Sequence, residues 1–235
     1  MRTSGPFTFF INNLSLFGSK TVAHLVLSFA SVGVAMLISI PLGVWLGHIH
    51  RGSFLAINVS NVGRALPSLA VIAIGIGILG IGTLNVIVAL VILAGPVMMT
   101  NAFVAVDGVD PDVVQAARAT GMTSLQVLRR VELPLALPLI SAGVRTATVY
   151  VVATATLATF AGGGGLGDII VNEPSYGTGG VIAGALTITV LTFAIDGILA
   201  VVQRAVTPPP LRARGLRSRA EDPVAATDAG ASGGF

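Results

Sequence analysis

The side chains that could carry out catalysis are few in this chain, and their spacing matches no catalytic set. There are three histidines and no cysteine. The sequence has no plausible serine–histidine–aspartate set, no paired carboxylates and no H-E-x-x-H motif, so neither nucleophilic nor zinc-dependent hydrolysis is expected. His48 and His50 flank Ile49 beside Arg51, at the end of an apolar run. We interpret them as interfacial residues at a helix end rather than metal ligands, and we expect no catalytic, cofactor-binding or metal site.

Three glycine-containing patterns are similar to phosphate-binding loops, but none has the context that phosphate binding requires. The segment from Gly18 to Thr21 is similar to the end of a P-loop, yet Asn13 occupies the position of the first glycine. Gly75 and Gly162 each begin a G-x-G-x-x-G pattern, but neither pattern lies between a β-strand and an α-helix. The first pattern sits in an apolar run, where small residues allow close helix packing. If ATP is used, we expect ATP and Mg²⁺ to bind another polypeptide.

Two ionisable residues, Arg145 and Asp196, lie within long apolar runs. A charge in hydrocarbon is costly, so such groups usually pair with one another or face a cavity. Arg145 lies about six residues into one run and Asp196 about eight residues before Arg204, so both sit roughly 9–12 Å from the same membrane face at ~1.5 Å per residue. We predict an Arg145–Asp196 pair. Its role stays open between a structural pair, a gate and two groups that snorkel independently.

The chain as a whole has the composition of a membrane protein. Of its 235 residues, 54% are hydrophobic and 10% are charged, whereas a soluble domain is about 25% charged. So few charges cannot cover a water-soluble surface, and we therefore expect an all-α integral membrane protein. We divide the chain into an N-terminal segment (1–20), a transmembrane domain (21–205) and a disordered tail (206–235). The predicted spans are 21–47, 54–81, 83–106, 139–161 and 180–203.

The arginines indicate the side of the membrane on which each connection lies. They cluster in the 48–53 turn, the 107–138 loop and the tail, whereas the connections near Gly82 and across 162–179 contain no Lys or Arg. By the positive-inside rule, the long loop and the C-terminus are cytoplasmic. The same clustering accounts for the net charge of +3 without a nucleic-acid partner.

The second span is irregular, and we expect it to face a transport pathway. A break between Arg64 and Pro67 should separate two helical parts. A break in a helix at membrane depth is tolerated only where protein groups or a water-lined cavity provide hydrogen bonds for the freed backbone N–H and C=O groups. Thr154 and Thr156 belong to a hydroxyl-rich stretch of the fourth span. We interpret these threonines either as bonded to helix carbonyls or as part of a polar stripe along the pathway.

The polar loop over 107–138 separates two apolar runs, and its sequence predicts two short helices. Asp110 favours a helix start, the proline after it is acceptable in the first turn, and Gly121 suits the position beyond the helix end. Thr123 or the serine after it can cap a second helix, which we expect to end before Pro134. We expect Ala116 and Ala117 to lie on one side of the first helix and to present little bulk there, so that a partner's groove could approach the helix backbone closely.

The spacing inside this loop resembles a known family signature. It fits the EAA signature of binding-protein-dependent ABC-transporter permeases: E-A-A, three residues, G, nine residues, I-x-L-P. Here Q-A-A at 115–117 is followed by Gly121 and by V-E-L-P at 131–134, so every spacing holds. The valine at the isoleucine position is a minor departure, whereas the glutamine at the glutamate position removes a charge.

The resemblance implies that the first helix of the loop is a coupling helix that contacts a cytoplasmic ATPase. The residues it assigns to this contact are Asp112, Gln115, Ala116, Ala117 and Gly121. Because Gln115 is uncharged, a salt bridge from this position is in doubt, and Asp112 or Glu132 is available to supply the charge instead.

The resemblance extends over about residues 20–205 and also indicates a substrate class. The stretch RTATVYVVATATLATFAGGGGLGDII at 145–170 and ALPSL at 65–69 look most like permeases for glycine betaine, choline and carnitine. This implies a type I importer permease fold of five to six transmembrane helices in the bacterial inner membrane. The implied partners are an ATPase dimer, a second permease subunit (a copy or a paralogue) and an extracytoplasmic substrate-binding protein. A methionine- or phosphonate-type importer permease and, more distantly, an ion-driven secondary carrier stay open.

Overall fold

The protein is a set of packed helices. The computed structural model describes residues 5–51 and 65–207, together with 54, 58 and 63. Within these residues every regular element is helical, which confirms the all-α fold class. In chain order the elements are α1 (Pro6–Asn12), α2 (Leu14–His48), α3 (Ser68–Leu79), α4 (Thr83–Asp107), α5 (Pro111–Ala119), α6 (Ser124–Val127), a π-helical turn (Leu128–Glu132), α7 (Leu133–Thr154), a 3-10 segment (Ala155–Ala161), α8 (Gly167–Val171) and α9 (Glu173–Val206).

Four helical runs in the described part of the chain are long and apolar enough to cross a membrane: α2, α4, the continuous run Ser124–Ala161, and α9. Within the described residues, the predicted span over 54–81 contains α3, whose 12 residues measure about 18 Å at 1.5 Å per residue. Pro67 precedes α3 with an extended backbone, in agreement with a break at that point. Arg64, on the other side of the predicted break, lies outside the described residues.

The first long helix begins earlier than the predicted span. α2 starts at Leu14 rather than near residue 21. Lys20 is the one charged residue between these two positions; lysine is a good helix former, and its ammonium forms an ion pair with Asp168. The Phe9 ring of α1 meets Tyr176 of α9 edge-on, with centroids 6.4 Å apart. Residues 5–20 are therefore joined by contacts to the helices of the transmembrane domain.

The second helix of the polar loop does not end before Pro134, contrary to the prediction. α6 passes through the π-helical turn into α7, and the helical run continues to Ala161. A proline inside an α-helix collides with the carbonyl four residues earlier. Here the Leu133 N–H donates to the Leu128 carbonyl five residues earlier, and this wider turn accommodates the proline ring. The fourth span therefore begins before residue 139, where the sequence predicted its start.

Close contact between α2 and α4 holds the centre of the molecule. A Cβ atom at Gly43 would lie only 2.4 Å from the Met99 carbonyl oxygen. At Gly47 the corresponding distance to the Phe103 carbonyl oxygen would be 2.8 Å. Small residues at such crossings let helix backbones approach each other in membranes. Apolar side chains from α2, α4 and α7 fill the interior, among them the fully buried Ala35, Leu90, Ala94, Ala147 and Val151.

The helices have two distinct ends. At the end that we call the glycine-loop end, the Gly82 N–H donates to the Ala161 carbonyl at 2.8 Å, so the two connections without Lys or Arg lie together. At the opposite, polar-loop end, His48 contacts Glu132 of the polar loop. Along α2 the rise from Lys20 to His48 is about 42 Å at 1.5 Å per residue. The two ends are therefore far enough apart to lie on opposite sides of a membrane.

Candidate functional site

The polar loop presents α5 as an exposed helix at the polar-loop end. Asp110 caps its start, because the side chain accepts a hydrogen bond from the Asp112 N–H at 2.9 Å. Pro111 occupies the first turn, where its missing N–H costs no helical hydrogen bond. Gly121 follows the helix with φ of +86°, a left-handed conformation that glycine adopts without strain. Both ends of α5 are thus fixed by the local sequence.

One face of α5 is exposed and the other is packed. The exposed residues of the predicted contact are Asp112, Gln115, Ala116 and Gly121. Ala117 is only 9% exposed and packs with Val114 against Val127 of α6. The expectation that both alanines lie on one accessible side is therefore corrected for Ala117. A spacing of three residues places it on the same face as Val114, toward the protein.

The support beneath α5 begins with a capping box at the start of α6. The Thr123 hydroxyl accepts from the Gln126 N–H, and the Gln126 side chain accepts from the Thr123 N–H at 2.8 Å. Reciprocal capping of this kind satisfies two backbone donors and fixes the first turn. Val127 below it is fully buried. The helix α6 therefore provides an ordered packing surface for the inner face of α5.

Two histidines at the end of α2 contact the polar loop, which the sequence did not predict. His48 Nδ1 lies 2.6 Å from Glu132 Oε2, and His48 Nε2 lies 2.6 Å from Ser124 Oγ. His50 Nδ1 lies 2.8 Å from Asp107 Oδ1, at the end of α4. His48 is the last residue of α2 and His50 lies just beyond it, so both are at a helix end as the sequence indicated, and each also contacts a carboxylate of the polar loop. Their partners are 84 and 57 positions away in the chain, so no local pattern could reveal them.

The burial of Glu132 decides between the two acidic residues that could replace the missing glutamate charge. Its side chain is 1% exposed, so it is inaccessible to a partner on this surface. Asp112 is exposed at the start of α5. Of the two residues, only Asp112 offers a carboxylate on the face beside Gln115.

The two predicted intramembrane charges, Arg145 and Asp196, meet between α7 and α9. Arg145 Nε lies 2.6 Å from Asp196 Oδ1, and Arg145 Nη2 lies 2.7 Å from Asp196 Oδ2. This is a bidentate pair, in which both carboxylate oxygens accept from one guanidinium. A cavity of about 340 Å³ adjoins the pair and is also lined by Thr146 and Gln203. Each side chain of the pair is 34% exposed, so the charges face this cavity instead of being enclosed.

The predicted pathway residues occupy different environments. Pro67 is exposed before α3, whereas Thr154 is buried at the end of α7. The Thr156 hydroxyl donates to the Ala153 carbonyl of its own helical run at 2.8 Å, which is the helix-bonded alternative for this residue. A pathway role for these residues stays a prediction.

A charged cluster at the glycine-loop end was also absent from the sequence interpretation. Lys20 Nζ of α2 lies 2.6 Å from Asp168 Oδ2 at the start of α8. The Thr159 hydroxyl of the 3-10 segment donates to the other carboxylate oxygen of Asp168. Gly162 and Gly164 between these elements have φ of +72° and +73°, which favours glycine over other residues. Asp168 thus ties both sides of the glycine-rich loop to α2.

The two G-x-G-x-x-G patterns contribute to helix packing. A Cβ atom at Gly75 would lie 1.9 Å from Oδ1 of the buried Asn85, and one at Gly167 would lie 2.0 Å from the Thr156 carbonyl oxygen. Gly167 therefore lets α8 approach the Thr156 backbone at a distance that any side chain would prevent, and Gly75 leaves room for the Asn85 side chain beside α3. Gly165 lies over the buried ring of His24, whose Nε2 is 2.9 Å from the Val152 carbonyl oxygen. Because a carbonyl only accepts, Nε2 carries the proton.

Comparison with known proteins identifies the class of membrane protein to which these features belong. Residues 39–208 match the family described as the binding-protein-dependent transport system inner membrane component. The chain belongs to this family and is a multi-pass membrane protein. The family membership inferred from the spacing of the polar loop is confirmed, and the exposed α5 lies within the matched residues.

Individual relatives are similar over most of their length. The chain is 40% identical over 194 residues to the glycine betaine/carnitine/choline transport system permease protein OpuCB of Bacillus subtilis, covering 80% of this chain and 88% of that protein. It is 36% identical over 206 residues to the carnitine transport permease protein OpuCB of Listeria monocytogenes, covering 87% and 94%. It is also 35% identical over 217 residues to the osmoprotectant import permease protein OsmW of Salmonella typhimurium, covering 87% and 98%.

Solved transporter structures share the fold. The MetNI methionine ABC transporter, solved in inward-facing conformations, superposes with a TM-score of 0.71 at 24% identity, covering 83% of this chain and 98% of that chain. An amino acid ABC transporter crystallised with histidines gives a TM-score of 0.66 at 20% identity, covering 83% and 96%. At these identities the likeness establishes the fold alone.

Proposed function

We propose that this chain is the transmembrane permease subunit of an ATP-driven importer for osmoprotectants such as glycine betaine, choline or carnitine. The observation that carries the proposal is the 40% identity, over 80% of the chain, to two Bacillus subtilis permeases that are named for transport of these solutes. The exposed α5 supports the same assignment, because it offers a partner a short, accessible helix at the polar-loop end.

The proposed assembly contains three kinds of partner. An ATPase dimer contacts the exposed face of α5 and holds all of the ATP and Mg²⁺. A second permease subunit, a copy of this chain or a paralogue, completes the membrane part, and an extracytoplasmic binding protein delivers the solute to the glycine-loop end. The polar loop and the C-terminus then lie in the cytoplasm, as the arginine distribution favours.

Transport follows from a change in the relative stability of two arrangements of the helices. ATP draws the two ATPase subunits together, which displaces α5 and the support beneath it. The permease then changes from inward-open to outward-open and receives solute from the binding protein. ATP must therefore bind more tightly to one arrangement than to the other, since a ligand with equal affinity shifts nothing.

Selection among solutes is expected to take place mainly in the binding protein. Quaternary ammonium groups are held well by aromatic cages. Beside ten phenylalanines, this chain has only one tryptophan and two tyrosines, and the side chains of Trp45 and Tyr150 are exposed on the subunit surface. The membrane path is then only weakly selective.

Uptake by cells that lack their own transporters for these solutes tests the proposal. The genes for this chain and its partner subunits should restore accumulation of labelled glycine betaine, choline or carnitine. The control omits the ATPase gene and should abolish uptake. Uptake of labelled methionine or a phosphonate instead would assign a different solute class, and uptake without any ATPase would indicate an ion-driven carrier.

A further inference from the structure

His48 holds the polar loop at two points. Its ring lies between Ser124, the first residue of α6, and Glu132, the last residue of the π-helical turn, with both contacts at 2.6 Å. One ring thus spans the whole segment from the start of α6 to the start of α7. Since His48 is the last residue of α2, this segment is attached directly to the end of a transmembrane helix.

Glu132 is the buried partner of His48 in this attachment. Its side chain is 1% exposed, and within the described residues its Oε1 atom has no hydrogen-bond partner. A buried carboxylate is costly unless it is paired. Its contact with His48 through Oε2 is therefore the interaction that stabilises it, and removal of either partner leaves a buried polar group unsatisfied.

A continuous series of contacts leads from the exposed helix to α2. Val114 and Ala117 on the inner face of α5 pack against Val127 of α6. The segment that contains Val127 is held at both ends by His48. These contacts connect α5 to α6 by packing and α6 to α2 by hydrogen bonds.

We propose that His48 and Glu132 are a positioning pair that transmits displacement of α5 to α2, and thereby couples ATP hydrolysis to transport. This inference rests on the proposed function, since it requires an ATPase that moves α5. The pair contacts neither solute nor nucleotide in this role. It acts by holding α6 and the π-helical turn against the end of α2.

The second histidine contact provides a matched control. His50 and Asp107 also join the end of α2 to the start of the polar loop, at 2.8 Å, but their side chains are 50% and 37% exposed. An exposed pair of this kind contributes little, because water competes for both groups. His50→Ala should therefore leave coupling close to that of the unmodified protein.

The complete complex in proteoliposomes tests the pair, with ATP hydrolysed per solute imported as the readout. His48→Ala and Glu132→Ala should each raise this ratio by about tenfold, within the usual range of coupling between sites. The exchange His48→Glu with Glu132→His restores a carboxylate–imidazole contact and should recover most of the coupling. Because the ratio is measured on assembled complexes, a simple loss of protein does not change it.

Each outcome of this experiment either supports or overturns the proposed role of His48 and Glu132. Single variants that assemble and keep the normal ratio overturn the proposal, and so does an exchange variant that is no better than the singles. If the singles lose the ATPase while the exchange variant retains it, the pair is supported as the element that positions α5. If the unmodified chain itself recruits no ATPase, the proposed function fails before the pair is tested.

Discussion

Arg145 and Asp196, 51 positions apart in the chain, form a bidentate pair with atoms 2.6 and 2.7 Å apart. The pair joins α7 to α9, two helices that otherwise present many apolar side chains to their surroundings. Thr146 and Gln203, which line the adjoining cavity of about 340 Å³, place further polar groups beside the charges. Helices in hydrocarbon are held together by such polar contacts as well as by close packing.

Reversal of the charges should reveal whether transport depends on this pair. Arg145→Asp and Asp196→Arg alone each place two like charges together, and we expect each to lower uptake by roughly tenfold or more. The double reversal restores opposite charges and should recover a large part of the uptake. Uptake of labelled solute, normalised to the amount of protein in the membrane, is the measurement. A double variant no better than the singles would count against a functional pair.

Two glycines of α3 provide a comparison between a packed and an open position. A Cβ atom at Gly75 would lie 1.9 Å from Oδ1 of buried Asn85, whereas nothing lies within 4 Å of one at Gly77. Gly75→Ala should therefore lower the midpoint temperature of unfolding in detergent. Gly77→Ala should leave it unchanged or raise it, since alanine favours helix by about 1 kcal/mol over glycine. Equal effects of the two substitutions would contradict the close contact between α3 and α4.

The left-handed backbone of Gly121 should be needed for coupling. At φ of +86°, a β-branched residue carries strain of about 1–3 kcal/mol, whereas asparagine tolerates this region better. Gly121→Val is expected to separate ATP hydrolysis from uptake, with insertion into the membrane unaffected, and Gly121→Asn should retain most of the uptake. The ratio of hydrolysis to uptake in proteoliposomes measures this. Normal uptake by the valine variant would contradict the assignment of Gly121 to the coupling site.

The cluster around Asp168 should limit opening of the glycine-rich loop. Asp168→Ala removes the contacts with Lys20 and Thr159, so amide hydrogen exchange over 162–167 should accelerate by about tenfold. Glu173→Ala is the control, because Glu173 accepts a hydrogen bond from Thr178, across the kink at Gly177, and does not contact the loop cluster. If neither substitution changes the amide hydrogen exchange rate of the loop, the cluster does not hold the loop closed.

The features that could be predicted from the sequence are those fixed by neighbouring residues or by the membrane. Asp110 and Gly121 delimit α5 through capping and a left-handed turn, both of which are local effects. The Arg145–Asp196 pair follows from the cost of isolated charges in hydrocarbon, which leaves such residues few arrangements.

The remaining features depend on contacts between distant segments. Ala117 faces inward because Val127 lies beneath it, and this face could not be chosen from the two alanines alone. The helix passes Pro134 because a π-helical turn accommodates the ring, which local proline rules do not anticipate. His48 and Glu132 are 84 positions apart and have no shared pattern. Contacts between residues so far apart in the sequence are determined by the packing of the whole fold.

The central claim, that α5 is the contact with an ATPase, is tested most directly by crosslinking from single cysteines in intact cells. The chain contains no cysteine, so Ala116→Cys introduces a unique thiol in this subunit on the exposed face of α5. Ala117→Cys, at a position that is 9% exposed, is the matched control. We expect a thiol-specific crosslinker to join the residue 116 variant, and the residue 117 variant far less, to a nucleotide-hydrolysing subunit. Failure of the residue 116 variant to capture any such subunit would contradict the account.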